Sequence, residues 1–276
     1  MLRYAVLLAL LSFLCFFNSP VRAEPTAAFG GQTGVLRISG GTAHIPVMKE
    51  VAKIIMQAHP DIQISIAGGG SGAGIKQVGE GLVDIGNSGR KPTDHEIQKY
   101  GLVLHRWAFD GVGVIVHRDN RVQALTRGQL QDIFSGRLRN WQEVGGVDKE
   151  ITVFTRDEAS GTRKVFWKKA LAKKVITNKA LVVASNGAMK AGVSHNPYAI
   201  GYVSVGYLDK SVAAVALDGV KPSLETVQKG EYTVVRGLYS NTKGERDGLT
   251  KSFIDFLFSP SGREIIAKKG LIPAAR

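Results

Sequence analysis

The most chemically suggestive stretch of the 276-residue chain is 155–163, which follows an apolar, β-branched run and precedes a helical pattern. This order predicts a strand, a loop and a helix, with Ser160 as the helix N-cap and Gly161 letting a ligand approach the backbone. The first amides of a helix lack intrahelical acceptors and lie at the positive end of its dipole, so they attract oxyanions. Arg156 adds a guanidinium that matches two oxygens of a tetrahedral anion. The simpler alternative is a capped helix with surface arginines.

Further loops in the first half of the chain carry hydroxyls or free amides at the ends of predicted strands. Thr42 is expected to cap a helix, and Ser71 lies in the glycine run 68–74. Ser88 follows the third predicted strand, with Arg90 two residues later. In open parallel sheets, ligands bind at the carboxyl ends of strands, where helix N-termini converge. Because these loops supply hydroxyls, amides and guanidinium groups with hardly any acid, we expect one site for an oxyanion.

Other kinds of site lack their motifs. The glycine run has Ile75 where a nucleotide-binding P-loop needs lysine. The six histidines show neither His-x-x-x-His nor His-Glu-x-x-His spacing, which argues against a metal site. Ser160 has no Gly-x-Ser-x-Gly context, and Asp157 and Glu158 are interpreted as partners of Arg156 or as helix-start acids. We therefore expect no catalytic residue, no metal and no cofactor, with an exported phosphoesterase as the less favoured alternative.

Residues 1–23 have the pattern of a secretory signal peptide. Arg3 precedes a short apolar run, and small residues lead to a cleavage point after Ala23. The run is too short for a comfortable membrane span, and the single cysteine, Cys15, lies inside it. A mature chain without disulfides must be held together by core burial in an oxidising compartment. We therefore expect a periplasmic protein.

The composition is that of a globular protein, with 44% hydrophobic and 21% charged residues. A net charge of +13 would suit nucleic acid, an anionic membrane or a small anion as partner. Export from the cytoplasm argues against nucleic acid, and most of the lysines are expected to form a solvated basic surface.

Predicted strands alternate with predicted helices through short loops, which indicates an α/β fold with mostly parallel sheets. Hydrophobic periodicity places strands at 35–39, 62–66, 82–86, 112–116 and 234–239, and helices at 47–58, 75–80, 93–99 and 129–134. Another helix should end near residue 174, and a last one should be broken at Ser259-Pro260.

Residues 125–136, LTRGQLQDIFSG, with Asn140-Trp141, carry an LTxxQLxDIFSGxxxNW signature. With this signature the chain resembles, from Ile38 to Pro273, the periplasmic phosphate-binding proteins of bacterial phosphate ABC transporters, in the type II periplasmic binding protein superfamily. The resemblance implies a two-lobed α/β fold in which each lobe has a mostly parallel sheet flanked by helices, and two crossing strands form the hinge. Lobe I would comprise 24–113 and 236–276, and lobe II would comprise 114–235. It also implies a monomer that captures inorganic phosphate between its lobes and delivers it to an ABC permease in the membrane.

By the same resemblance, Thr42, Ala43, Ser71, Arg156, Ser160, Gly161 and Thr162 match the anion loops of the family. With Gly72 of the glycine run and Ser88 and Arg90 after the third strand, they are the ten residues expected to bind ligand. One position departs from the family pattern. Longer members have an aspartate that accepts the proton of bound phosphate, whereas this chain has Gly89. Shorter members often carry Ser-Arg there, so phosphate remains the expected ligand, with weaker discrimination against sulfate. A receptor for sulfate or molybdate, and a sensor or adhesion module with the same fold, stay open as alternatives.

Overall fold

The computed structural model describes residues 26–276, so the predicted signal peptide lies outside the described residues. The strands are Gly34–Gly40 (β1), Ile62–Gly69 (β2), Ile85–Ser88 (β3), Leu102–His117 (β4), Ala124–Leu125 (β5), Thr152–Arg156 (β6), Leu181–Val183 (β7), Ala199–Ser204 (β8), Val212–Ala214 (β9), Ala216–Leu217 (β10), Val235–Lys243 (β11) and Ile272–Pro273 (β12). The α-helices are Ile45–Ala58 (α1), Gly70–Gly79 (α2), Asp94–Tyr100 (α3), Arg127–Ser135 (α4), Gly161–Lys169 (α5), Asn186–Ser194 (α6), Leu224–Gln228 (α7), Gly248–Phe258 (α8) and Pro260–Lys268 (α9). Over these described residues, no helix is both long and apolar enough to cross a membrane.

Eight of these strands form one continuous hydrogen-bonded path, in the order β2-β1-β3-β11-β4-β8-β6-β7. Strands β9 and β12 pair with β4 beside this path, and β5 and β10 form a separate two-stranded sheet. At one end β1 pairs in parallel with β2 and β3, and at the other end β6 pairs in parallel with β7 and β8. The two parallel groups are joined by antiparallel pairing through β4 and β11. The 16-residue β4 pairs with β11 in its first part and with β8 in its second, so it passes from one group to the other.

Two hydrophobic cores lie on either side of this crossing. The first is built from α1, β1, β2, α8 and α9, and the second from α4, β6, α5, α6 and β8. Strand β4 contributes Trp107 and Ala108 to the first core and residues from Val112 onward to the second. Each half of the sheet is therefore covered by its own helices, as a buried parallel sheet requires.

Helix α1 shows how the local sequence forms these elements. Its buried residues recur at helical spacing and form a single face that packs against β2: Val47, Met48, Val51, Ala52 and Ile55. Pro46 occupies the first turn, where its missing N–H would have had no acceptor. The helix therefore holds the loop that precedes it, residues 41–44, against the end of the sheet.

The glycine run differs most from expectation. The sequence predicts a loop over 68–74, whereas α2 already begins at Gly70. This helix packs very close to the sheet, because a Cβ on Gly74 would lie 2.6 Å from the Asn87 carbonyl oxygen and 2.8 Å from Gly40 Cα. Only glycine permits that approach. Tertiary packing therefore overrides the low helix propensity of glycine.

Three smaller differences also have local causes. The N-cap position of α1 is His44, and Thr42 does not cap the helix because its hydroxyl is engaged across the cleft. Strand β3 begins at Ile85, and the carboxylate of the preceding Asp84 accepts a hydrogen bond from the Arg37 amide of β1. Ser259 ends α8 as expected, but it also caps α9, a helix that the sequence pattern did not predict.

Candidate anion-binding site

A small, tightly closed cavity lies where the two halves of the molecule meet. Its wall is formed by residues from both sides of the crossing: Gly41, Thr42, Ala43, His44, Gly70, Ser71, Gly89, Arg156, Ser160, Gly161, Thr162 and Arg236. The set contains hydroxyls, backbone amides and two guanidinium groups, and it contains no carboxylate. Such a wall suits an anion with several oxygens.

Arg156 is the last residue of β6, so the end of that strand carries its side chain into the cavity wall. The side chain is 1% exposed, and its Nη2 donates to the Ala184 carbonyl oxygen at 2.9 Å. Asp157 lies 3.7 Å from the same nitrogen. Burial lowers the pKa of Arg156, and Asp157 opposes that shift. Its Nε is buried and has no hydrogen-bond partner among the described residues, so this donor is free for an anion.

The N-terminus of α5 lies directly after this arginine. Ser160 caps the helix, since its Oγ accepts a hydrogen bond from the Arg163 amide at 3.1 Å. The amides of Gly161 and Thr162 occupy the first helical positions, which have no intrahelical acceptor, and the helix dipole is positive at this end. The predicted strand and the helix capped by Ser160 are confirmed at this loop.

The N-terminus of α2 faces α5 from the other side of the cavity. Ser71 Oγ accepts a hydrogen bond from the Gly89 amide at 2.9 Å. A Cβ placed on Gly161 would lie only 2.1 Å from Ser71 Oγ, which shows how closely the two helix starts approach. The amide of Gly72 donates to the Ala159 carbonyl oxygen at 3.0 Å, which is a direct contact between the two halves.

Thr42 connects the loop before α1 to the opposite half of the molecule. Its Oγ1 accepts hydrogen bonds from the backbone N and side-chain Nδ2 of Asn186 at 3.2 and 3.0 Å, and from Arg156 Nη1 at 3.4 Å. Tyr207 donates its hydroxyl to the Thr42 carbonyl oxygen at 2.7 Å. These contacts hold the two halves together around the cavity.

The second guanidinium comes from the crossing strands. Arg236 on β11 is directly opposite Asp110 on β4 in the antiparallel register. Its Nε donates to Asp110 Oδ2 at 2.8 Å, and its Nη1 donates to Thr162 Oγ1 at 2.9 Å. Asp110 also accepts a hydrogen bond from Ser204 Oγ at 2.8 Å. Burial raises the pKa of the Asp110 carboxyl, and Arg236 opposes that shift.

Comparison with known proteins agrees with this geometry. The chain matches the model of the PBP superfamily domain over residues 27–261. It is 38% identical over 244 residues to the phosphate-binding protein PstS of Bacillus subtilis, a match that covers 87% of this chain and 81% of that protein. The chain belongs to the PstS family of the PBP superfamily. A phosphate-binding protein PstS of Borreliella burgdorferi is 28% identical, with 86% of this chain and 89% of that protein covered.

Solved structures of proteins described as phosphate transport receptors share the architecture. A phosphate ABC transporter substrate-binding protein with bound phosphate from Clostridium perfringens is 38% identical, with a TM-score of 0.82, and the match covers 87% of this chain and all of that one. An ABC-type phosphate transport receptor from Vibrio cholerae is 36% identical, with a TM-score of 0.69, and the match again covers 87% of this chain and all of that one. The two-lobed α/β fold hinged by two crossing strands, expected from the sequence, is confirmed.

The signature that carries most of the PstS resemblance is structural and does not line the cavity. Thr126 and Gln129 form a capping box at the start of α4, and Gly136 ends the helix in the left-handed region with a φ of 79°. Trp141 is fully buried and donates its indole N–H to the Tyr198 carbonyl oxygen at 2.9 Å. This segment therefore identifies the fold of the second core rather than the ligand.

Seven of the ten residues expected to bind ligand line the cavity: Thr42, Ala43, Ser71, Arg156, Ser160, Gly161 and Thr162. The other three do not line it. Gly72 contacts the opposite loop, and Ser88 Oγ accepts a hydrogen bond from Asn241 Nδ2 at 2.9 Å. Arg90 donates to both carboxylate oxygens of Glu96 at 2.7 and 2.6 Å, which lowers the pKa of that carboxyl to about 2.

Sequence reasoning missed Arg236, Asp110 and Asn186. A signal for the first two was present, because each is a charged residue inside an apolar run that forms a buried strand. Asn186 had no comparable signal. It donates to Thr42 and accepts a hydrogen bond from the Ser204 amide at 3.0 Å, so it links the cavity wall to the Asp110 side of the network.

His44 is the one titratable group of the cavity wall other than the arginines. Its ring is fully buried, 5.5 Å from that of Trp107 between centroids, and its Nδ1 lies 3.0 Å from the Gly41 carbonyl oxygen. Burial, followed by the charge of Arg236, lowers the pKa of His44 to about 3, so the ring is neutral near pH 7. Across residues 26–276 there is no cluster of three or more histidine, cysteine or acidic side chains that could hold a metal ion.

Proposed function

We propose that the chain is an extracytoplasmic receptor that captures inorganic phosphate between its two lobes and delivers it to an ABC permease in the membrane. The observation that carries this proposal is the cavity wall, which combines two buried guanidinium groups with the N-termini of α2 and α5. The relative from Clostridium perfringens, described with bound phosphate, supports phosphate as the ligand because it covers 87% of this chain at 38% identity.

The donor set is large enough for a doubly charged ligand. Micromolar affinity corresponds to about 8 kcal/mol, and removing a dianion from water costs far more unless nearly every oxygen receives a donor. A hydrogen bond to a charged group contributes about 1.5–3 kcal/mol. We assign these bonds to residues of the wall whose amides, hydroxyls or guanidinium groups can donate: Thr42, Ala43, Ser71, Arg156, Ser160, Gly161, Thr162 and Arg236.

The division into lobes is part of this proposal. The two separate cores support a lobe I of residues 24–113 and 236–276 and a lobe II of residues 114–235. Contacts between the lobes surround the cavity, so ligand binding and lobe closure should be coupled. We further propose that the protein acts as a monomer in the periplasm, after removal of residues 1–23, and that it is a transport receptor rather than an enzyme.

The test is replacement of Arg156 by alanine. Isothermal titration calorimetry with phosphate should show binding at least about tenfold weaker than in the unmodified protein, because one charge-assisted hydrogen bond is worth about 1.5–3 kcal/mol. Arg156→Lys should recover only part of the loss, since an ammonium lacks the planar fork. The ligand-free Arg156→Ala protein should also melt at a lower temperature, because the Ala184 carbonyl oxygen loses its buried donor.

Arg163→Ala is the matched control. Arg163 lies two residues into the same helix, but its guanidinium is directed toward Glu158 at 3.8 Å and does not line the cavity. Its replacement should leave phosphate affinity within about twofold. An Arg156→Ala protein that binds phosphate as tightly as the Arg163→Ala protein would remove Arg156 from the site.

A further inference from the structure

We infer that Arg236 is a second anion-binding guanidinium, held in place by Asp110 across the crossing strands, and that it leaves the cavity wall without room for a carboxylate. Such a site would take fully deprotonated tetrahedral dianions, so sulfate should compete with phosphate. The inference rests on the proposed function in one respect only, namely that phosphate serves as the probe.

The guanidinium of Arg236 lies between the Asp110 carboxylate and the cavity. Its side chain is 2% exposed, and that of Asp110 is fully buried. Nε and Nη2 lie 2.8 and 2.7 Å from Asp110 Oδ2, on the far side of the guanidinium from Thr162. Asp110 is absent from the cavity wall, whereas Arg236 is part of it. The guanidinium would therefore shield a bound anion from the carboxylate, and the anion would reach Nη1 by replacing its hydrogen bond to Thr162 Oγ1 or to the Gly89 carbonyl oxygen.

Arg236 also takes the space that a side chain at position 89 would need. A Cβ placed on Gly89 would lie 2.6 Å from Arg236 Nη1 and 3.1 Å from its Cζ. The same Nη1 lies 3.4 Å from the Gly89 carbonyl oxygen. A carboxylate at residue 89 and the observed position of Arg236 therefore exclude each other. The structural reason for glycine at this position is the guanidinium beside it.

The hydroxyls of the wall are already committed as acceptors. Thr42 Oγ1 receives three N–H donors, and Thr162 Oγ1 receives Arg236. Ser71 Oγ accepts a hydrogen bond from the Gly89 amide, and Ser160 Oγ accepts one from the Arg163 amide. Each hydroxyl hydrogen is then free to turn toward the cavity.

Sulfate needs only donors, whereas hydrogen phosphate carries one O–H that must find an acceptor. In this cavity the acceptors left for the hydrogen phosphate O–H are the remaining lone pairs of Ser71 Oγ and Ser160 Oγ and the unpartnered His44 Nε2, and none of them is a carboxylate. A site without a carboxylate also has no charge that repels a fully deprotonated oxygen. The discrimination between the two anions should therefore be small.

The test compares two replacements that act in opposite directions. Asp110→Asn keeps a hydrogen-bond acceptor for Arg236 but removes the opposing charge, so phosphate and sulfate should bind as tightly as before or up to about tenfold tighter. Asp110→Asn with Arg236→Gln removes both charges and leaves a neutral pair. If Arg236 contacts the anion, both anions should bind at least about tenfold more weakly to this double variant. Calorimetric titrations with sodium phosphate and sodium sulfate at one pH and one ionic strength measure all of these affinities.

The control is a second Arg–Asp pair outside the cavity. Arg127 pairs with Asp218 at 3.2 Å on the surface of lobe II. Asp218→Asn with Arg127→Gln should leave both affinities within about twofold. Circular dichroism and thermal melting establish that each variant is folded. If the double variant at 110 and 236 does not fold, Arg236→Lys replaces it, since the ammonium keeps the charge but loses the fork, and several-fold weaker binding is expected.

The outcomes separate this inference from the proposed function. If the unmodified protein binds neither anion, the proposed function fails. If phosphate binds but the neutral pair, or Arg236→Lys in its place, binds it as well as the unmodified protein, Arg236 only braces the crossing strands and the inference is wrong. If phosphate binds and a thousandfold excess of sulfate does not compete, an uncharged acceptor such as His44 Nε2 is enough to select hydrogen phosphate, and the inferred weak discrimination is wrong.

Discussion

Replacing Gly161 by alanine should weaken ligand binding while leaving the ligand-free protein at least as stable. Gly161 begins α5 with ordinary helical backbone angles, so a methyl group there causes no backbone strain. Alanine in place of glycine should stabilise the ligand-free lobe by about 0.4–1 kcal/mol, chiefly by restricting the unfolded chain. That gain corresponds to a rise in melting temperature of about 1–4 °C for a protein of this size.

In the closed arrangement of the lobes, the same alanine should be unfavourable and should weaken ligand binding. In the closed arrangement the new Cβ would lie 2.1 Å from Ser71 Oγ and 3.1 Å from the carbonyl carbon of Gly89. Either the lobes stay apart by more than an ångström, or Ser71 rotates and gives up its hydrogen bond from the Gly89 amide. Overpacking or loss of one such bond costs about 1–3 kcal/mol, so phosphate affinity should fall by about 5- to 150-fold.

Calorimetry with phosphate and thermal melting of the ligand-free protein measure the two effects separately. Gly72→Ala is the matched control on the other side of the cleft, because its Cβ would lie 3.5 Å from Ala159 Cα and Cβ, an ordinary contact. That variant should keep its phosphate affinity within about twofold. If Gly161→Ala binds phosphate as the unmodified protein does, the lobes do not approach at these two helix starts when ligand is bound, and the closed site described above is refuted.

Two further predictions concern His44 and Arg90. The pKa of His44 is near 6.5 in the unfolded chain, whereas it is about 3 in the native protein. Between these two values the unfolded state binds more protons than the native state. The free energy of unfolding therefore falls by about 1.4 kcal/mol per pH unit below pH 6.5. Urea unfolding at pH 7 and pH 5 should show a loss about 2 kcal/mol larger than in His44→Gln, and equal losses would mean that the native ring has the same pKa as in the unfolded chain. Arg90→Ala should leave phosphate affinity within about twofold, since both ends of its guanidinium are bound to Glu96; a tenfold loss in calorimetry would place Arg90 at the anion.

The predictable part of the site was the part built from one continuous segment. Arg156, Ser160 and Gly161 lie on a strand, a cap and a helix start that follow each other in the chain, so residue types and spacing were enough to predict their arrangement. The loop before α1 was also predicted to be part of the site, although the prediction that Thr42 caps the helix was wrong. A local pattern identifies a hydroxyl near a helix start, but it does not show that the hydroxyl accepts from Asn186, 144 residues away.

The unpredicted part depends on register between distant strands. Arg236 and Asp110 are 126 residues apart, and they meet only because β11 and β4 pair in one particular alignment. The prediction of a loop over the glycine run was wrong for a related reason. Its helix forms because Gly74 permits close packing against Asn87 and the end of β1, which is a tertiary contact that outweighs local propensity.

The most direct test of the central claim is a crystal structure of the protein grown with phosphate. We expect one phosphate in the cavity between the lobes, with oxygens about 2.7–2.9 Å from nitrogens of both Arg156 and Arg236. Further oxygens should accept from the amides of Gly161 and Thr162 at the start of α5. A closed cleft without phosphate in this cavity, or phosphate bound at another surface while the cavity stays empty, would contradict the account.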